Sequence, residues 1–198
     1  MITYVDDIIL QRSGFEDYLA RLGSVFCKLT SAGFSINTSK FHPWRPEIEF
    51  LIHIICDRTL RPDLRRIKAI LLYPPPKNQK QLSKSLGICK FHHQFIVNYS
   101  QYVAPLLTLL SKRSKWSWSS TMQKAFEEVR EKFAQCIYLV QPDDTQDYVI
   151  NTDACVKAIG VVLMEKDKDG RINIVSTASC ILTPAEQSYT TCKLELWQ

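Results

Sequence analysis

Three things are missing from this 198-residue chain, and each removes a class of protein. No apolar run approaches the roughly 18–20 residues that a membrane-spanning helix needs, and no basic leader precedes an apolar core, so neither a membrane protein nor a secretory precursor is indicated. None of the seven cysteines (Cys27, Cys56, Cys89, Cys136, Cys155, Cys180, Cys192) forms a C-x-x-C pair, and their number is odd. A zinc site or a disulfide framework is therefore not expected; reduced, mostly buried thiols in an intracellular protein, cytoplasmic or nuclear, fit better. Acids are almost absent from one long stretch: from Arg58 to Lys115 there are 12 Lys and Arg but only Asp63, in a chain holding 25 basic and 20 acidic residues. A cationic segment between acidic flanks suits a polyanion lying along it, or a solvated basic face.

What is present is globular in type, with 45% hydrophobic and 23% charged residues, enough for one large domain or two small ones. Asp6 and Asp7 stand between two short apolar runs, Ile2-Thr-Tyr-Val5 and Ile8-Ile-Leu10, which read as strands around a tight hairpin turn. Adjacent carboxylates at a turn repel unless a cation sits between them, and hard divalent metals such as Mg²⁺ accept such oxygen ligands. A solvated Asp-Asp turn is the plainer alternative. The spacing of Phe15, Tyr18, Leu19, Leu22, Val25, Phe26 and Leu29 predicts a helix from Ser13 to about Ala32, closed by Gly33. Phe34 to Ile36 reads as a short strand. Glu47 to Cys56 reads as a strand pair with Ile48, Phe50, Ile52 and Ile54 on one face.

The middle of the chain is helical, aromatic and basic. A helix over Leu64 to Leu72 precedes three prolines, Asn78 caps the next helix, and Gly87 ends or bends it. Helical pieces follow at Phe91–Val97 and Gln101–Leu110. Lys77, Lys80 and Lys84 share one helix face, with Lys90 beyond, beside rings that either stack on bases or fill the core. Ser119 or Ser120 caps a helix to Ala134. Three antiparallel strands follow, starting near Tyr148, Ala158 and Ile172, and Thr183-Pro-Ala-Glu186 starts a further helix. The fold class is α+β. Asp153 at a strand end and Glu195 on the last helix could converge on metal ions for phosphodiester hydrolysis.

In this order, the motifs resemble the reverse transcriptase and ribonuclease H region of gypsy-type long-terminal-repeat retrotransposon polyproteins. Tyr4-Val-Asp-Asp7 resembles the palm motif Tyr-x-Asp-Asp, and Phe50-Leu-Ile-His53 the primer-grip strand. Leu60-Arg-Pro-Asp63 with Pro74-Pro-Pro-Lys-Asn78 resembles the passage from palm to thumb, and Ser85-Leu-Gly87, Phe95-Ile96 and Ala104-Pro-Leu106 the thumb helices. Trp116 with Ala125-Phe126, then Thr152-Asp-Ala154, Gly160 to Leu163, Leu182 to Glu186 and Tyr189 to Glu195, resemble the first half of the ribonuclease H-like region.

The resemblance implies a partial palm over 1–57, a thumb-like basic segment over 58–115 and a truncated ribonuclease H-like domain over 116–198. It implies RNA-directed DNA polymerase activity with associated ribonuclease H. Asp6 and Asp7 would be two of three polymerase metal carboxylates, and Asp153 and Glu195 the first two nuclease acids, all four holding Mg²⁺ in a two-metal arrangement incomplete here. Lys40 matches a palm lysine that protonates the leaving group. Lys77, Lys80, Lys84 and Lys90 would bind nucleic acid. The partners implied are an RNA template, a DNA primer, their hybrid, deoxynucleotides and the remaining polyprotein portions, with no membrane. The third polymerase aspartate would lie before Met1 and the other nuclease acids after Gln198, so a fragment inert by itself is expected. Departures from the pattern are Ile52 for glycine, His92-His93 for an aromatic pair, Phe41 for cysteine, Cys155 for serine and Thr177 for tyrosine. A non-catalytic nucleic-acid-binding remnant is the main alternative; a stand-alone nuclease is another.

Overall fold

The computed structural model describes residues 2–10, 14–111 and 114–188. The chain divides into two compact units, Met1–Arg45 and Pro46–Gln198.

In the first unit, β1 (Ile2–Tyr4) and β2 (Asp7–Ile9) form an antiparallel hairpin with Tyr4 opposite Asp7. Helix α1 (Phe15–Ser31) follows. Glu16 and Asp17 in its first turn and Lys28 in its last complement the helix dipole. Gly14 is the residue before its first turn, and Ser13, the expected cap, lies outside the described residues. The helix ends as the sequence predicts. Gly33 takes φ +80°, Phe34 N donates to Leu29 O at 2.9 Å and Gly33 N to Thr30 O at 3.0 Å, a Schellman closure. Trp44 folds back edge-on to Phe15 and Tyr18, both 5.1 Å away between ring centroids, and Phe41 meets Phe26. Phe34 to Ile36 is not a strand: both apolar side chains are exposed, and among the described residues β1 and β2 pair only with each other.

The second unit opens on β3 (Glu47–Phe50), β4 (His53–Cys56) and β5 (Thr59–Pro62). Phe50 pairs with His53, so Leu51-Ile52 is a two-residue turn with φ +48° and +70°. That turn resets the alternation expected across 47–56. Ile48 now shares its face with Ile55, and Phe50 with His53, while Ile54 falls opposite Glu49. Asp63 caps α2 (Leu64–Leu71) by accepting from Arg65 N at 2.8 Å. Asn78 caps α3 (Gln79–Phe91) by accepting from Gln81 N, and α3 runs straight through Gly87. A 3-10 turn (His93–Phe95) leads to α4 (Tyr99–Leu107), and Ser119 caps α5 (Ser120–Ala134).

The helices bury one apolar stripe each. Leu82, Leu86 and Cys89 of α3, Ile67 and Ile70 of α2, Val103 and Leu106 of α4, and Phe126, Val129 and Phe133 of α5 form one core. The chain then contributes β6 (Leu139–Val140), which pairs antiparallel with β5 and makes the first sheet four-stranded, β3-β4-β5-β6. Last comes an antiparallel sheet of β7 (Asp147–Ala154), β8 (Ala158–Lys166) and β9 (Ile172–Ile181). β9 carries one extra residue, Val175, opposite the Leu163–Met164 step. Beyond β9 the Thr183–Glu186 capping box is formed in both directions: Thr183 N donates to Glu186 Oε2 at 2.6 Å, and Glu186 N to Thr183 Oγ1 at 3.4 Å. Among the described residues no helix is long and apolar enough to cross a membrane.

Candidate functional site

The Asp6–Asp7 corner is built by a turn that suits its first residue, Val5, poorly. Tyr4 pairs with Asp7, which leaves Val5-Asp6 as the two-residue connection. Val5 sits at φ +52° with its side chain 91% exposed. Hairpin turns of this length need positive φ, which a β-branched residue adopts only at a cost in strain. Asp6 therefore stands in the loop and Asp7 at the start of β2, both exposed. Two oxygen-donor side chains on consecutive residues at a solvent-facing corner suit a hard cation such as Mg²⁺ as part of a larger ligand set. Among the described residues no group of three or more His, Cys, Asp or Glu side chains could hold a metal ion. Lys40 lies exposed at the end of the 3-10 turn Thr38–Lys40 of the same unit.

Asp153 is the penultimate residue of β7, paired across the sheet with Gly160 of β8. Its Oδ2 accepts a hydrogen bond from Asn98 Nδ2 at 2.7 Å. Glu195 lies outside the described residues, so the expected meeting of the two acids is not part of the described structure. Asn98 immediately precedes α4 at φ +56° and makes no side-chain cap to it. Two further bonds hold the same stretch against β9. Ser100 N donates to Ser179 Oγ at 3.0 Å, and Thr177 Oγ1 donates to Gln94 O at 3.0 Å.

Lys77, Lys80, Lys84 and Lys90 are all exposed. Lys80 and Lys84, one turn apart on α3, lie on the side away from buried Leu82 and Cys89, and Lys90 lies toward the flank. Of the rings expected near them, Phe91 is exposed whereas Phe95 and Tyr99 are buried, so only part of the aromatic set is available to bases. Trp116 and Trp118 stack on each other beside Phe126, as core-flanking residues.

A histidine pair joins the β3–β4 hairpin to the end of α3. Gln94 Nε2 lies 3.0 Å from His53 Nε2, which makes that ring nitrogen the acceptor and leaves the proton on Nδ1. His53 also stacks on Phe91 and meets His92. Burial holds both histidines below the usual imidazole range, and for His92 the neighbouring His53 adds to this. Of the six described cysteines all are free, but only Cys89 is buried, its thiol pushed up to about 12 by desolvation. Cys27 and Cys180 are exposed, against the expectation of mostly buried thiols.

The sequence reading passed over Arg58 and Glu165. Glu165, 1% exposed on β8, accepts from Arg58 Nη2 at 3.1 and 3.3 Å and from Asp143 N at 3.1 Å. Arg58 Nη2 also donates to Gln141 O at 2.9 Å, so the β4–β5 turn is tied to β8. An acid at the end of an apolar strand, and an arginine in a turn, carry no local mark of a partner 107 residues away.

Comparison with known proteins agrees with this architecture. Residues 118–198 match the family described as RNase H-like domain found in reverse transcriptase. Over 196 residues the chain is 27% identical to the Transposon Tf2-3 polyprotein of Schizosaccharomyces pombe and 26% identical to the Tf2-7 polyprotein of the same organism. Each match covers 99% of this chain and 15% of the relative, so the chain spans under one sixth of the length of these polyproteins. Among solved structures, the foamy viral protease-reverse transcriptase in complex with RNA/DNA hybrid matches with a TM-score of 0.83 and 26% identity, over 98% of this chain and 27% of that one. A foamy viral protease-reverse transcriptase dRH in complex with double-stranded DNA matches with a TM-score of 0.84 and 25% identity, over 98% of this chain and 34% of that one. Residues 118–198 thus carry the ribonuclease H-like domain found in reverse transcriptase, and the chain as a whole is a relative of the reverse transcriptase region of gypsy-type long-terminal-repeat retrotransposon polyproteins.

Proposed function

We propose that this chain is part of an RNA-directed DNA polymerase with an associated ribonuclease H, acting on an RNA template, a DNA primer and their hybrid. In this reading residues 1–57 are part of the palm, 58–115 a thumb-like arm, and 116–198 the ribonuclease H-like region. Asp6 and Asp7 hold Mg²⁺ with a third carboxylate supplied from outside the chain, and Asp153 with Glu195 does the same at the nuclease site. Bound Mg²⁺ would supply charge neutralisation for the primer 3′-oxygen and the departing pyrophosphate. The chain's own part is to present adjacent carboxylates on a rigid corner and to offer Lys77, Lys80, Lys84 and Lys90 to the phosphate backbone. The observation that carries the reading is the Val5-Asp6 turn, a strained two-residue connection that fixes Asp6 and Asp7 on consecutive residues at an exposed corner.

The test is primer extension on an RNA template with Mg²⁺, by a chimera in which this chain replaces the matching segment of the fission-yeast Tf2 polyprotein. Extension should be lost on Asp6→Asn or Asp7→Asn. A chimera that does not extend, or one indifferent to both changes, overturns the reading. The second reading, nucleic-acid binding without catalysis, is favoured by the exposed lysines of α3. It requires hybrid binding that weakens with salt and survives both substitutions.

A further inference from the structure

We infer that Asn98 is a positioning residue for Asp153: the first residue before α4 holds one oxygen of the nuclease-strand carboxylate and so aims the other. The inference rests on the reading of Asp153 as a metal carboxylate, and deepens it.

Four observations converge on it. Asn98 Nδ2 donates to Asp153 Oδ2 at 2.7 Å, across 55 residues of sequence. This bond fixes the amide's orientation, because the flipped amide would set two oxygens at that distance. Secondly, the orientation is kept at a loss: Asn98 Oδ1 is buried without a hydrogen-bond partner. Nor does Asn98 cap its own helix, where Ser100 N is already held by Ser179 Oγ and Gln101 N by the Asn98 carbonyl. Thirdly, the sheet is cut away to admit it. A Cβ at Gly160, the cross-strand partner of Asp153, would lie 1.7 Å from Asn98 Oδ1 and 2.7 Å from its Cγ. Fourthly, the backbone at Asn98 is left-handed, φ +56°, a conformation asparagine tolerates better than other residues able to offer an N–H donor at this length. The bonds from Ser100 to Ser179 and from Thr177 to Gln94 on either side make the docking of this segment rigid.

The nearest substitutes each fail one of these conditions. Aspartate would set two carboxylates against each other, glutamine would overfill the space at Gly160, and alanine would leave Asp153 without its donor. The fixed carboxylate is otherwise exposed, so a cation approaching from solvent meets an oxygen already oriented.

The experiment uses the full chain with Asp6→Asn and Asp7→Asn as background, so that the hairpin no longer competes for metal. Mn²⁺ binding is read by electron paramagnetic resonance, and unfolding by thermal melts. Asp153→Asn should abolish the remaining Mn²⁺ site, and Asn98→Ala should weaken it by about 10- to 100-fold, as removal of such supporting partners does. Asn98→Asp should lower the melting temperature. Adding Asp153→Asn to it should restore melting, by reversing donor and acceptor, without restoring Mn²⁺. If Asp153→Asn removes the site while Asn98→Ala leaves its affinity unchanged, the positioning role is wrong and the nuclease reading stands. If Asp153→Asn changes nothing, the nuclease reading falls, and this inference with it.

Discussion

Replacing Leu51-Ile52 by Asn-Gly should make this protein more stable, although it removes two apolar side chains. The two residues close the β3–β4 hairpin at φ +48° and +70°. Left-handed backbone costs an L-residue about 1–2 kcal/mol, with β-branched residues at the upper end, so the turn stores about 2–4 kcal/mol. Asn-Gly adopts these angles readily. Against the gain stand about 0.5–1 kcal/mol for the freedom glycine adds to the unfolded chain, and about 1 kcal/mol for apolar surface lost from side chains that are only partly covered. The net is about 1 kcal/mol of stabilisation at the middle of these ranges, and at most about 2.5 kcal/mol, or roughly 3 °C in Tm at the middle for a chain of this size. Thermal melts followed by far-ultraviolet circular dichroism would measure it. Two controls isolate the cause. Leu51-Ile52→Ala-Ala removes the same surface without relieving the backbone and should lower Tm. Asp57, at φ +49° in the next hairpin, is already a residue that tolerates the left-handed region, so Asp57→Gly should gain only a few tenths of a kcal/mol. An Asn-Gly variant that melts no higher than the parent would refute the strain reasoning.

Arg58→Ala should cost about 3 kcal/mol, because Glu165 keeps its burial and its bond from Asp143 N but loses its cationic partner; urea unfolding would read this, and Arg58→Lys should fall between, having no planar fork. Stability should fall as pH drops from 7 through about 6.5 toward 5: His53 and His92 have folded-state values below their unfolded one, the unfolded chain therefore binds more protons in this window, and each contributes at most about 1.4 kcal/mol per pH unit. His92→Phe should flatten that slope in urea midpoints taken across the range; an unaltered slope would show that neither ring drives it. Gly160→Ala should destabilise by about 1–3 kcal/mol through overlap with Asn98, and Asn98→Gly in the same chain should recover most of the loss in a thermal melt. Lys80→Gln and Lys84→Gln should each reduce the log–log salt slope of hybrid binding by about 1, measured by fluorescence anisotropy.

The parts legible in the sequence were those governed by neighbours. Helix α1 and its Gly33 closure, the Asn78 and Ser119 caps, the Thr183–Glu186 capping box and the three strands of the last sheet all follow from residues within one or two turns of each other. The hairpin around Asp6 was legible for the same reason. Non-local choices were hidden. The face of Ile54 depended on how many residues the turn at 51–52 consumes, which alternation cannot reveal. Phe34 to Ile36 had strand-like alternation but no partner strand among the described residues of its unit. Asn98 falls between the two helical pieces expected at 91–97 and 101–110, and only the fold shows that its amide reaches Asp153, 55 residues away. Glu165 sits opposite Asn173 just past the bulge at Val175, where burial departs from simple alternation.

The two-residue strand β6 has an outsized effect on how this protein can be divided. Leu139–Val140 follow α5 yet complete a sheet begun at Glu47, and Leu139 is buried there against a register set by β5. Cutting the chain before residue 118 would carry that strip away from the piece holding β5 and leave β5 with an uncovered edge, ready to recruit a strand from another molecule. Shuffling of this region between elements should therefore succeed when Glu47 to Val140 travels intact, and yield sticky, poorly behaved products when the crossover falls between β5 and β6.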